Sequence, residues 1–193
     1  MKKIILKASL ITLGALIAAG ILIFSLWIII SPQSMATVSE KLGNYNFAVT
    51  CANLKFKYSD DTEDLARCVE DSILAKDDEK IVKYGEKLIA RDDFDKLCAK
   101  RDGELAPADG VEASRNYKTY ILSTLAVSQY REGNLEKAVA TAERGGTIDC
   151  FRKLLIEVVS SKKQADIDKV QTLPTDPDLR ESVIAFVEII LGN

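Results

Sequence analysis

Four cysteines, Cys51, Cys68, Cys98 and Cys150, are the most reactive side chains in this sequence, and it contains no histidine. Without imidazole, Ser-His and Cys-His nucleophilic pairs are excluded within the chain, as is the commonest metal ligand. No two cysteines form a Cys-x-x-Cys pair, so a zinc site would have to gather four scattered thiolates. Thiols of this kind are expected to be small buried hydrophobes. No Gly-x4-Gly-Lys-Ser/Thr segment is present to cradle phosphates.

Carboxylates cluster at three places: Asp60, Asp61, Glu63 and Asp64; Asp77, Asp78 and Glu79; Asp92, Asp93 and Asp95. Each cluster falls where a helix is expected to begin, and there carboxylates cap free amides and favour the positive end of the helix dipole. None has the spaced ligands and turn glycine of an EF-hand loop. The sequence therefore assigns no catalytic, cofactor-binding or metal-binding residue, and the chain reads as non-enzymatic. Tyr117, Tyr120 and Tyr130 lie on one expected helix and are the candidate partner-binding residues, although core packing is the favoured reading of their spacing.

The elements that must position these residues are helices. Beyond Pro32 no stretch shows two-residue alternation, whereas three- and four-residue spacing of apolar residues recurs. Leu179, Val183, Phe186, Val187, Ile190 and Leu191 mark one helix, with Asp176 as cap and Pro177 at its first position. Phe151, Leu154, Leu155, Val158 and Val159 mark another, running on from about Ile148. Further helices are expected over 45–56, 62–75, 78–90, 114–131, 134–144 and 163–173, with a short piece at 94–98. Two glycines, a proline and little hydrophobic mass make 101–113 a loop. Short connections imply antiparallel neighbours, in an α-solenoid or a compact bundle. Cys51 and Cys68 would then stand about equally far from the turn that joins their helices. If the domain is exported they are the candidate disulfide pair, although two buried, reduced thiols are the favoured reading.

Residues 8–30 carry no charge and are mostly Leu, Ile, Ala, Val, Phe and Trp. A helix of that length spans a hydrocarbon core of roughly 30 Å. Trp27 suits the interface, and Pro32 stops the helix or forces a turn. Residues 1–31 are thus expected to be a cytoplasmic stub and transmembrane helix, and 32–193 a helical domain. The rival is a cleaved signal peptide, with Ser34 and Ala36 placed for cleavage after Ala36. Lys2, Lys3 and Lys7 precede the span and only Lys41 closely follows it, so the positive-inside rule puts the N-terminus in the cytoplasm and the domain outside. The remainder holds 23 basic and 29 acidic residues, which argues against nucleic acid.

Two segments resemble each other 90 residues apart: Gly43, Asn44, Tyr45, Ala48, Val49 and Ala52 align with Gly133, Asn134, Leu135, Ala138, Val139 and Ala142. With Leu42 ahead of the first copy, and Leu122, Leu125 and Ala126 upstream of the second, they resemble the tetratricopeptide repeat, two antiparallel helices in about 34 residues. A shift of 34 from the first copy reaches Ile81, Val82 and Leu88, which keep only the apolar stripe. Gln129 stands where the family usually has tyrosine and Gly145 where it has alanine. The resemblance implies a helical array with a binding surface, anchored like bacterial envelope-assembly accessory proteins. The functional expectation is a membrane-anchored adaptor for a protein or extended peptide at the cell envelope. A sensor holding a small ligand beside 101–113 is the alternative.

Overall fold

Helix boundaries are set by residues that can leave the right-handed helical region cheaply. The computed structural model describes residues 2–104 and 116–192. Among these the chain forms eleven helices and no strand: α1 (Lys2–Ile30), α2 (Pro32–Lys41), α3 (Tyr45–Ser59), α4 (Thr62–Ala75), α5 (Asp78–Ile89), α6 (Phe94–Glu104), α7 (Tyr117–Arg131), α8 (Leu135–Glu143), α9 (Ile148–Ser160), α10 (Gln164–Thr172) and α11 (Pro177–Leu191).

Within α1, the stretch Thr12–Ile30 has a mean hydropathy of 2.7, has no buried residue, and is long and apolar enough to cross a membrane. Ser31 breaks the helix, and Pro32 then occupies the first turn of α2, where its missing N–H leaves no helical bond unmade.

One joint recurs through the rest of the chain. A residue in the left-handed region is followed at once by a helix cap: Gly43 then Asn44, Asp60 then Asp61, Lys76 then Asp77, Gly133 then Asn134, Gly146 then Thr147, and Lys162 then Lys163. Three of them share more detail. The amides of Asn44, Asp77 and Asn134 donate to the carbonyls of Ser39, Ser72 and Gln129, at 2.8, 3.1 and 2.9 Å. Their side chains then accept from the amides of Phe47, Lys80 and Lys137. The Gly-Asn match seen in the sequence is thus a structural match, and Lys76-Asp77 is a third copy in which lysine replaces glycine. Small residues recur eight positions after each cap, at Ala52, Gly85 and Ala142. The first and last are buried, and a Cβ on Gly85 would lie 2.9 Å from Leu125 Cδ1, so α5 and α7 approach closely there.

These reversals stack helices on their neighbours: α2 on α3, α3 on α4, α4 on α5, α5 on α7, α7 on α8 and α9, and α9 on α11. The apolar interior falls into two large clusters. Leu65, Val69, Tyr84, Leu88, Phe94 and Ile121 lead one, and Leu122, Phe151, Leu154, Leu155, Val158 and Val183 the other. Ile89 packs against both. A third, small cluster joins Met35, Ala36 and Cys51 to Ile28 of α1 and Phe47 of α3. Phe24 of α1 also stacks on Phe47, with ring centroids 6.2 Å apart.

The loop expected over 101–113 is corrected at its start, because α6 continues to Glu104. Tertiary contacts hold this last turn. Asp102 accepts a 2.6 Å hydrogen bond from the Tyr117 amide, and Arg101 lies 3.8 Å from Glu70. Residues 105–113 lie outside the described residues.

Since left-handed backbone is strained for any residue with a Cβ, the two versions of the joint should respond oppositely to exchange. In urea unfolding of the full chain in detergent micelles, Gly133→Ala is expected to destabilise by about 1–2 kcal/mol. Lys76→Gly should be neutral or stabilising by up to about 1 kcal/mol.

Candidate functional site

Helix α7 presents its three tyrosines to different surroundings, because spacings of three and ten residues place them around the helix. Tyr117 is buried, and its hydroxyl donates to Glu70 Oε1 of α4 at 2.7 Å. Burial and the adjacent Glu70 carboxylate raise its pKa strongly. The hydroxyl of Tyr130 faces α9 and α10, donating to Asp166 Oδ2 at 3.0 Å with Ser161 Oγ at 2.9 Å. Tyr120 is on the surface, beneath the Lys153 ammonium, which sits 5.1 Å from the ring centroid.

Tyr120 forms one wall of an open groove of about 390 Å³ between α4, α7 and α9. Its apolar surface comes from Ile73, Tyr120, Val127 and Ile156, the last 51% exposed. Charges rim this surface. Arg131 Nε lies 2.7 Å from Glu157 Oε1, and Lys153 Nζ donates to Thr124 Oγ1 at 3.2 Å. The groove thus has an apolar floor and a charged rim.

A second concavity, of about 420 Å³, lies between α2, α4 and α6 and is predominantly charged. Its centre is Arg67. Nε and Nη2 of this residue donate to Glu40 Oε1 at 3.0 and 2.5 Å, and Nη2 also donates to Thr37 Oγ1 at 2.8 Å. One turn further along α4, Asp71 has a side chain only 3% exposed, and its Oδ2 accepts no hydrogen bond. Arg67 Nε is 4.0 Å from that oxygen, an ion pair without hydrogen-bond geometry. Burial, with Glu40 close by, raises the Asp71 pKa to about 7. Asp71 belongs to none of the acidic clusters visible in the sequence. The signal for it was its place on the buried stripe of α4, with Leu65, Cys68, Val69 and Ser72.

The visible clusters behave as caps and bridges. Asp61 accepts from the Glu63 amide at 2.7 Å, Asp77 from the Lys80 amide, and Asp93 from the Thr62 hydroxyl at 2.7 Å. Among the described residues no three Asp, Glu or Cys side chains are placed to hold a metal ion.

All four cysteines are buried and free. Cys51 packs with Met35 and Ala36, whereas Cys68 belongs to the larger cluster around Leu65 and Val69. Burial raises the thiol pKa of Cys51, pushes Cys68 up to about 12 and Cys98 up to about 11. At neutral pH these thiols are protonated and unreactive.

Comparison of the chain with protein-family models, curated proteins and solved structures gives no match. Function must therefore be argued from the groove and the cleft themselves.

Two outcomes are expected. A thiol reagent such as DTNB at pH 7.5 should react slowly with the folded protein and release four equivalents after denaturation; fast titration of Cys68 or Cys98 in the native state would contradict their burial. For Asp71 the sign follows from linkage. The folded protein retains a proton up to about pH 7 that the unfolded chain loses near pH 4, so ionising Asp71 lowers stability as pH rises between these values. Asp71→Asn should flatten that fall in a urea titration series, leaving the variant relatively more stable at pH 8 than at pH 5.

Proposed function

We propose that this chain is a non-enzymatic adaptor, anchored in a membrane by α1, whose helical domain binds a protein segment in the α4–α7–α9 groove. One observation carries the reading: an open apolar surface, half-exposed at Ile156 and bounded by charges, runs across three helices that are each the first of a hairpin. In a stacked array of helical pairs, the first helices line the concave side, where extended partners bind without any dependence on a cofactor.

The pairs are α2 with α3, α4 with α5, α7 with α8, and α9 with α10; α6 is inserted, and α11 closes the end. Joints of one geometry at Gly43, Lys76 and Gly133 support a tetratricopeptide-like array. So do the small residues Ala52, Gly85 and Ala142 at one offset from the cap.

The anchor is tied to the first hairpin by Phe24 on Phe47 and by Ile28 on the Met35, Ala36 and Cys51 cluster. An apolar span joined in this way holds the groove at a fixed distance from the bilayer and raises its effective concentration for partners there. Retention of the span is supported by Ala36, which is fully buried within α2. A peptidase cutting after Ala36 would have to act before folding, and would strip Met35 and Ala36 from the core. Three lysines before the span, by the positive-inside rule, support a cytoplasmic N-terminus with the domain on the far side.

A photo-crosslinking residue at Tyr120, in the native membrane, is expected to capture one discrete partner, and Ile156→Asp should reduce that adduct at least fivefold without lowering the melting temperature. Equal capture from a crosslinker at exposed Ile189 on α11 would remove the groove from consideration. A reporter fused after Asn193 should be active only in its exported form.

A further inference from the structure

We infer that the turn between α2 and α3 inserts into the headgroup boundary of the bilayer that α1 spans, carrying Val38 and Leu42 into lipid. This contact rests on the membrane span proposed for α1, and it gives the helical domain a lipid contact of its own.

The chain turns back along α1 as soon as that helix ends. Phe47, near the start of α3, stacks on Phe24 with ring centroids 6.2 Å apart, and Phe24 lies six residues before Ile30, the last residue of α1. At 1.5 Å of rise per residue, this brings the chain back by about 9 Å along the span. One turn further on, Ile28 of α1 packs against the cluster that contains Cys51 of α3. The contacts run in the same order along both helices, so α3 climbs beside α1 and its first residues lie lowest. Leu42, Gly43 and Asn44 precede those residues, at the level of Phe24 or below it. With Trp27 at the interface, that level is within the depth of about 5–10 Å at which interfacial segments sit. The bilayer surface cannot lie lower without cost. Leu26, Ile29 and Ile30 all lie beyond Phe24, are more than half exposed, and would then meet water.

Exposure at the turn points the same way. Leu42 is 78% exposed, more than any other large apolar side chain among the described residues. Val38 stands one turn earlier on α2 and is also exposed, so the two share a face. The other two joints of this geometry carry Ala75 before Lys76 and Glu132 before Gly133 in the place of Leu42. Of the three, only the joint beside α1 presents a large apolar side chain, which is unfavourable in water and favourable in lipid.

The polar groups of the turn suit that position. The amides of Leu42, Gly43 and Asn44 donate to the carbonyls of Val38, Glu40 and Ser39, and the Phe47 amide donates to the Asn44 side chain. Asn46 accepts from Lys80, and Glu40 from Arg67. These donors keep their acceptors when the turn leaves water, so the desolvation penalty is small. Lys41 is exposed beside Leu42, and its long stem lets the ammonium reach the lipid phosphates. Half-buried Tyr45 adds an aromatic ring of the kind that favours the interface.

The test places the full chain in vesicles of phosphatidylcholine brominated on its acyl chains, since bromine quenches tryptophan fluorescence at short range. Trp27 is the only tryptophan, so the unaltered chain reports on the span. Trp27→Phe combined with Leu42→Trp reports on the turn, and Val38→Trp in the same background is a second reporter. Both positions are on the surface, so the variants should keep the wild-type melting temperature. Strong quenching of Trp27 is expected, with the turn reporters quenched about half as strongly or more. Tyr58→Trp, at the exposed far end of α3, should be quenched little. Quenching of Trp27 with none at either turn position overturns the lipid contact and leaves the span standing. A turn shielded from acrylamide but not quenched by bromine is covered by a second copy of the chain, which also overturns it. So does equal quenching at Tyr58→Trp, the mark of adsorption without insertion. Absence of quenching at Trp27 removes the span itself and the lipid contact with it.

Discussion

The reversal of the chain at each helix end is the constraint on which the rest of this structure depends. A helix leaves its last carbonyls and the next helix its first amides without partners, and burying them unpaired between packed helices would be costly. A single left-handed residue followed by a capping side chain answers both needs within two residues. It also turns the chain back on itself, so the next helix must pack antiparallel to the last. At Gly43, Lys76 and Gly133 this is done with one hydrogen-bond pattern. The stacking of α2 through α5 and of α7 through α10 follows from repeating it.

Once the helices are stacked, their two sides acquire different chemistry. Large apolar residues such as Phe151, Leu154 and Leu65 fill the space between layers. Small residues, Gly85 above all, permit α5 and α7 to approach, and Leu125 fills the gap. The first helices of the hairpins are left with an open side, and there Ile73, Tyr120, Val127 and Ile156 stay near solvent with charges around them. On the other side of α4, Asp71 is buried beside Glu40 of α2 and Cys51 of α3, and Arg101 of α6 faces it across a charged cleft. One helix thus contributes to two concavities of opposite character, an apolar groove through Ile73 and a charged cleft through Asp71.

The apolar helix α1 is integrated with this architecture. Ser31 is the only non-helical residue between α1 and α2, and Phe24 and Ile28 make contacts with the first hairpin. A domain joined so closely to an apolar helix of 19 residues or more has little freedom to rotate away from it, in contrast to one on a long flexible linker.

Much of this was legible in the sequence, and the reason is locality. The apolar run, the all-helical character, the start of each helix at Asn44, Asp61, Asp77, Asn134 and Asp176, and the kinship of the Gly43 and Gly133 joints depend on residues within one turn of each other. What the sequence left open depends on how helices are rotated against their neighbours. Only packing separates buried Tyr117 from surface Tyr120, and only the contacts with Glu70 and Tyr117 carry α6 through residues 101–104, where glycine and polar residues suggested a loop. The third joint was hidden because Lys76 adopts a backbone conformation that its identity disfavours, held there by the helices on either side. Asp71 shows the division most sharply. Its place on one face of a helix can be read from its spacing, but whether a carboxylate on that face meets water, an arginine or an empty cleft is decided by which other helices come to cover it.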